Sequence, residues 1–310
     1  LPDESVAQDV HHFVTDKLAI PDEPLQAETS AFWSGLREVG SRLWLDTGDL
    51  DEAGRLWTQE FTALTTNNTL LNKEVQKGIY DDVVREAARI VDGLSPAQKI
   101  IEIAFVLNAH HALRLAHRFG GHVSVELHTD LAHDVAASVA YARRYHAINP
   151  EQFIVKVPMT PAGLVATRQL REEGVPVNFT LGFSARQNAL ATAFAHPSFV
   201  NVFLGRVNSF VADNGLGDGE RVGEKTTLAS QRAVAAQSEE SGRKTLQIAA
   251  SMREGRQVAL LAGVDVLTMP TKVAAEARET LPAEWTSCRD LDYDIHVSDE
   301  AFGDEVQLQR

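Results

Sequence analysis

The chain has 310 residues, enough for a large buried core; that length sets a soft prior of about two domains, although single α/β barrels reach it too. A formal net charge of −14 gives no general attraction to nucleic acid phosphates or anionic lipid, and no apolar run approaches the roughly 18 residues of a membrane span, so neither nucleic acid nor membrane is an expected partner. The single cysteine, Cys288, excludes an internal disulfide framework and a multi-Cys metal site; with an acidic start (Asp3, Glu4, Asp9) unlike a signal peptide, it fits a cytoplasmic protein.

Residues 1–40 are polar except for Phe32, Trp33, Leu36 and Val39, whose spacing predicts an amphipathic helix that docks on a body. Residues 41–288 form that body. Short β-branched runs recur along it at Leu43–Asp46, Phe61–Thr65, His122–Leu127, Phe153–Pro158, Val175–Thr180, Phe199–Leu204, Leu246–Ala250 and Val264–Thr268. Helices are punctuated between them. Ser95-Pro96 opens one and Gly120-Gly121 follows its end; Thr160-Pro161 opens another and Gly174 closes it. Ser251 or a neighbour is expected to cap the helix that reaches Gly263, and the gap at 66–121 is long enough for two helices. Eight strands alternating with helices predict a (β/α)8 TIM barrel with an N-terminal helical extension. The alternative, an open doubly wound sheet, has no Gly-rich fingerprint after its first strand. Residues 289–310 are rich in Asp and Glu and read as a solvated acidic tail.

Barrel strands are covered on both faces, so polar residues inside their apolar runs are informative. Such residues gather at the strand ends, where barrel enzymes place their sites. They are Asp46, Thr65, Thr66, Asn67, Glu126, Lys156, Asn178 and Thr180, with Arg206, Ser251 and Arg253 just beyond strands six and seven. Lys156 is the sole charge in Phe153–Pro158. A buried amine must pair or lose its proton, and a neutral amine can attack a carbonyl to form a Schiff base. The bland reading is a structural ion pair. Glu126 and Asp46, from other strands, are candidate acid–base helpers. Two guanidiniums and a hydroxyl near a helix start suit a phosphate.

Other signals point to no chemistry. Gly219–Thr226 resembles a P-loop, but Glu224 precedes its lysine and would repel phosphate, so a mobile loop is expected. His110-His111 and His128…His133 lack zincin spacing and read as helix-surface or satisfied histidines; no metal and no cofactor is expected. Cys288 reads as a passive thiol.

Taken in order, these residues resemble the transaldolase family. The matching strings are Trp44-Leu45-Asp46-Thr47-Gly48-Asp49, Thr65-Thr66-Asn67, Val123-Ser124-Val125-Glu126, Ile154-Val155-Lys156-Val157-Pro158, Asn178-Phe179-Thr180-Leu181-Gly182-Phe183-Ser184, Phe203-Leu204-Gly205-Arg206 and Ala250-Ser251-Met252-Arg253. The resemblance implies a class I barrel that moves a dihydroxyacetone unit from a ketose phosphate to an aldose phosphate. It implies Lys156 as the Schiff-base lysine, Asp46 as the acid–base group for carbon–carbon cleavage, and Glu126 with Thr180 as holders of a water. Asn67 and Asn178 would bind the three-carbon unit, and Arg206, Ser251 and Arg253 the phosphate. Thr65, Ser184, Asn201 and Phe203 complete the implied substrate-binding set, and a homodimer is a candidate assembly. The chain departs from the family where Pro-Ser is common and Asn68-Thr69 stands here. It departs again where Asn201 replaces a serine and Ser209 an aspartate. Two other readings are a fructose-6-phosphate-type aldolase, which carries tyrosine at Phe203 and glutamine at Glu126, and a non-catalytic sugar-phosphate-binding barrel. Phe203 and Glu126 side with transfer.

Overall fold

The computed structural model describes residues 1–298. It opens with α1 (Glu4–His12) and α2 (Ala31–Glu38) and then enters an alternation of strands and helices. β1 (Arg42–Asp46) leads to α3 (Leu50–Leu56), and β2 (Phe61–Thr65) to α4 (Asn68–Val75), α5 (Asp81–Ile90) and α6 (Pro96–Phe119). β3 (His122–Glu126) leads to α7 (Val135–Ile148), β4 (Phe153–Pro158) to α8 (Pro161–Glu172), and β5 (Val177–Thr180) to α9 (Ala185–Ala195). β6 (Phe199–Phe203) leads to α10 (Leu204–Asp213) and α11 (Val222–Ser241). β7 (Leu246–Ala250) leads to α12 (Arg256–Leu260), and β8 (Val266–Pro270) to α13 (Thr271–Thr280). Each strand pairs parallel with the next, and β1 also pairs with β8, from Arg42 opposite Val266 to Asp46 opposite Pro270. The fold is a closed (β/α)8 barrel.

The strands hold because both of their faces are covered. In β4 every residue from Phe153 to Val157 is buried, and β7 is buried throughout. Full burial of a Val, Leu or Phe side chain contributes about 1.5–3 kcal/mol, which sets the order of the elements more firmly than strand propensity does. Caps place the helix starts. Ser95 and Gln98 form a reciprocal capping box ahead of Pro96, and Thr160 accepts from Gly163 N–H ahead of α8. Ahead of the barrel, Trp33 and Leu36 of α2 are buried, with the Trp33 ring edge-on to Phe61 at 5.3 Å. Asp22 pairs with both Nε and Nη2 of Arg114 on α6, at 2.7 and 2.9 Å.

Several boundaries differ from expectation, each for a local reason. β8 runs Val266–Pro270 rather than Val264–Thr268, because Gly263 is left-handed and Val264 N–H still closes a turn onto Leu261 O. β5 starts at Val177, one residue after a proline that has no N–H to give the ladder. The 66–121 gap holds three helices, not two. Ser251 caps nothing: it adopts φ +63°, and α12 begins later, after Gly255, without a side-chain cap. Of the P-loop-like string, only Gly219 to Arg221 lie in a loop, and Val222 to Thr226 form the first turn of α11. Its Glu224 is buried and accepts from Asn208 Nδ2 and Gln257 Nε2. His110 and His111 lie not on the surface of α6 but inside.

Of the expected acidic tail, residues 289–298 touch the body. Arg289 pairs with Asp265 at 3.0 Å, Asp292 with Lys225 at 2.8 Å, and Tyr293 donates to Leu260 O at 2.7 Å. Asp299, Glu300, Asp304 and Glu305 lie outside the described residues. Among the described residues, no helix is long and apolar enough to cross a membrane.

Candidate active site

A cavity of about 400 Å³ opens at the C-terminal end of the barrel. The expected site residues Asp46, Thr65, Asn67, Glu126, Lys156, Thr180, Asn201, Phe203, Arg206, Ser251 and Arg253 all line it. They come from β1 through β7 and from the turns that follow, so barrel closure is what assembles them. Strand register does the fine placement: Glu126 on β3 lies opposite Lys156 on β4, which in turn lies opposite Asn178 on β5.

Lys156 lies on the floor, its side chain only 7% exposed. Its Nζ stands 3.3 Å from Glu126 Oε1 and donates to Thr66 O at 3.1 Å. One carboxylate and one carbonyl leave the amine short of its full donor capacity. Asp46, at the end of β1, accepts from Thr65 Oγ1 at 2.7 Å, and Thr65 Oγ1 lies 2.7 Å from Thr268 Oγ1. Burial raises the Asp46 carboxyl above the usual carboxylate range; Lys156 and Thr65 oppose that rise, and Glu126 adds to it. Thr180 Oγ1 is buried without a partner. The site therefore combines an amine, a carboxylate beside it, a second carboxylate biased toward its protonated form, and an orphan hydroxyl.

The rim is cationic. Arg206, in the first turn of α10, and Arg253, after β7, are exposed, and among the described residues neither pairs with a carboxylate. Gly205 lets them meet: a Cβ there would collide with Ser251 O and lie 2.9 Å from Arg253 Cγ. Gln257 Oε1 fixes the loop by accepting from Arg253 N–H at 2.6 Å.

Two expected binding residues do not reach the cavity. Ser184 is the N-cap of α9 and accepts from Gln187 N–H at 3.2 Å, so its hydroxyl is held by the helix. Asn178 is fully buried beneath the floor. Its Nδ2 donates to Ser124 Oγ at 2.9 Å and its Oδ1 accepts from Asn201 Nδ2 at 2.6 Å. Thr268, Pro270 and Asn68 line the cavity but are not among the expected residues. Thr268 is a polar break in the apolar run of β8, the same signal that marks the others; the sequence pattern ends its strand at Thr268, where a lone threonine reads as the strand boundary, whereas β8 runs on to Pro270. No three His, Cys, Asp or Glu side chains among the described residues come together as a metal-ligand set.

Comparison with known proteins gives the same picture from the sequence side. The pattern of the Transaldolase/Fructose-6-phosphate aldolase family matches residues 43–305. A protein named Transaldolase from Xanthomonas euvesicatoria pv. vesicatoria (strain 85-10) is 33% identical over 258 residues, covering 80% of this chain and 77% of the relative. Another Transaldolase, from Xanthomonas campestris pv. campestris (strain B100), is 34% identical over 233 residues, covering 72% of this chain and 71% of its own. A Probable transaldolase from Thermus thermophilus is 35% identical over 235 residues, covering 74% of this chain and 87% of its own.

Proposed function

The chain belongs to the transaldolase/fructose-6-phosphate aldolase family, and on that premise we propose that it transfers a dihydroxyacetone unit between sugar phosphates through an imine on Lys156. One observation carries the reading: an amine on the cavity floor, 3.3 Å from a carboxylate, beneath a rim with two guanidiniums that pair with no carboxylate among the described residues.

Each step then has a group in place. Lys156 Nζ, having passed its proton to Glu126, attacks the ketose carbonyl carbon; Glu126 returns a proton to the carbinolamine hydroxyl, which leaves as water. A water between Glu126 and the orphan Thr180 hydroxyl would serve this exchange and satisfy Thr180. Asp46 takes the proton of the hydroxyl β to the imine. The carbon–carbon bond breaks, the aldehyde leaves, and the electron pair passes into the imine to give an enamine. The enamine carbon attacks the acceptor aldehyde, Asp46 returns the proton to the new hydroxyl, and hydrolysis frees Lys156. Asn67 and Asn201, on the cavity wall, would bind the hydroxyls of the three-carbon unit, and Asn178 acts from beneath by holding Asn201. Arg206, Ser251 and Arg253 hold the phosphate, whose binding positions the sugar.

The test uses fructose 6-phosphate with borohydride. A reduced three-carbon adduct mapped to Lys156 supports the mechanism; turnover without any adduct, or an adduct on another lysine, removes it. Adding an aldose phosphate acceptor separates transfer from release. New ketose phosphate supports transfer, whereas free dihydroxyacetone with or without acceptor would make the protein an aldolase. Phe203, which has no hydroxyl to protonate a released product, supports transfer.

A further inference from the structure

The barrel has a second opening, at the N-terminal ends of its strands. Arg42, His122 and Phe199 are the first residues of β1, β3 and β6, and with Trp44, Ile154 and Arg37 of α2 they line a cavity of about 440 Å³. That volume lies in the range that holds small organic ligands. The inner wall is apolar. Trp44, Ile154 and Phe199 are 2, 4 and 9% exposed and pack in one cluster, with the Trp44 ring edge-on to Phe199 at 4.8 Å. Side chains alternate along a strand, so these three occupy the layer beneath Asp46, Lys156 and Asn201, each two residues further on. The cavity lies on the far side of the floor from the candidate active site and shares no lining residue with it.

The mouth of this cavity is basic on an acidic protein. Across the chain 43 Asp and Glu outnumber 29 Lys and Arg, whereas here Arg37, Arg42 and His122 stand against one carboxylate, Glu151. Arg37 and Arg42 are exposed, and among the described residues neither forms an ion pair. A structural role would pair these guanidiniums with the carboxylates that the chain has in excess. Trp44 brings one more donor: its indole N–H has no acceptor among the described residues, whereas Trp285 Nε1 donates to Phe32 O at 2.9 Å. An uncharged apolar occupant would leave the guanidiniums without a partner, and an inorganic anion would leave the apolar wall bare. A ring turned inward with a negative charge at the mouth satisfies both.

We propose that this cavity binds a small aromatic anion, a planar ring bearing one carboxylate or phosphate group, with the ring against Trp44 and Phe199 and the charge held by Arg37 and Arg42. This site is independent of the chemistry on Lys156. The test titrates the whole protein with 2-naphthoate and with 2-naphthyl phosphate, following the indole N–H resonance of Trp44. The chain has four tryptophans, so that resonance is assigned by Trp44→Phe or, if this core variant does not fold, by replacing the other three singly. At least one probe should move it saturably. Hydrogen bonds to a charged group are worth roughly tenfold each, so Arg37→Ala and Arg42→Ala should each weaken that binding about tenfold. Neither arginine is buried, so both variants keep the fold. Arg253→Ala, at the other end of the barrel, should bind as the parent does. 2-Naphthalenemethanol, the ring without the charge, and inorganic phosphate, the charge without the ring, should move the Trp44 resonance only at about tenfold higher concentration or more. A resonance unmoved by both probes, equal binding of the alcohol, or binding that depends on Arg253 rather than on Arg37 and Arg42 overturns the proposal.

Discussion

Thr65 gives its only hydroxyl proton to Asp46 Oδ1 at 2.7 Å, so the Thr268 hydroxyl 2.7 Å away must be the donor to Thr65. The order Thr268 to Thr65 to Asp46 ranks two variants. Thr65→Val keeps the side-chain shape but strips the donor from Asp46, and should lower kcat by roughly tenfold. Thr268→Val acts only through Thr65 and should cost less. Steady-state kinetics on both variants checks the order; a larger loss at Thr268 would contradict it.

Asp46 is held above the ordinary carboxylate pKa chiefly by burial. Its folded state therefore keeps a proton that the unfolded state gives up near pH 4. From there up to the raised value, stability falls as pH rises, and the loss is complete above it. Asp46→Asn removes that loss without changing shape. Its melting temperature should exceed the parent's at neutral pH and converge with it near pH 3, while kcat drops by about 10²–10⁴. A variant less stable than the parent at neutral pH would contradict the sign.

Arg206 and Arg253 predict dependence on the phosphate of the substrate. Arg253→Ala should lower kcat/KM for a phosphorylated aldose acceptor by roughly tenfold or more and barely affect glyceraldehyde. Inorganic phosphate should compete in the parent and less in the variant. Equal losses for both acceptors, with a lower melting temperature, would make Arg253 a structural residue.

His110 and His111 make the fold sensitive to acid. Burial first, and the Arg114 charge second, push them down to about 4 and about 3. Below the ordinary imidazole value the unfolded state binds protons that the folded state refuses, so stability falls as pH drops. Each group adds a slope of about 1.4 kcal/mol per pH unit until its folded pKa is reached. For His110 that window runs from about 6.5 down to about 4. Denaturant midpoints across it should fall more shallowly in His110→Leu than in the parent.

Much of this was legible in the chain because barrel strands announce themselves. Phe61–Thr65, Phe153–Pro158 and Leu246–Ala250 match their sequence patterns to the residue. A charge such as Lys156 within an apolar run has few reasons to be there. What escaped depends on facts without a side-chain pattern. The turn after left-handed Gly263 delays β8, so Thr268 is an inner residue of the strand rather than its last. Asn178 is a polar residue within a strand like the others and Ser184 entered through the family resemblance alone, yet the floor covers the first and a helix cap absorbs the second. Asn68 reaches Glu126 through its backbone N–H, a contact that leaves no side-chain pattern to read.

The pairing of β1 with β8 has a consequence for synthesis. Thr65 and Thr268 are 203 residues apart. At about 5–20 residues per second, ribosomal elongation separates their emergence by roughly 10–40 seconds. For that interval β1 has an open edge of backbone donors and acceptors, a template for wrong partners. No nascent piece short of β8 holds the hydroxyl that buttresses Asp46, so activity should appear only with the finished ring, and the waiting edge is the chain's point of exposure to aggregation.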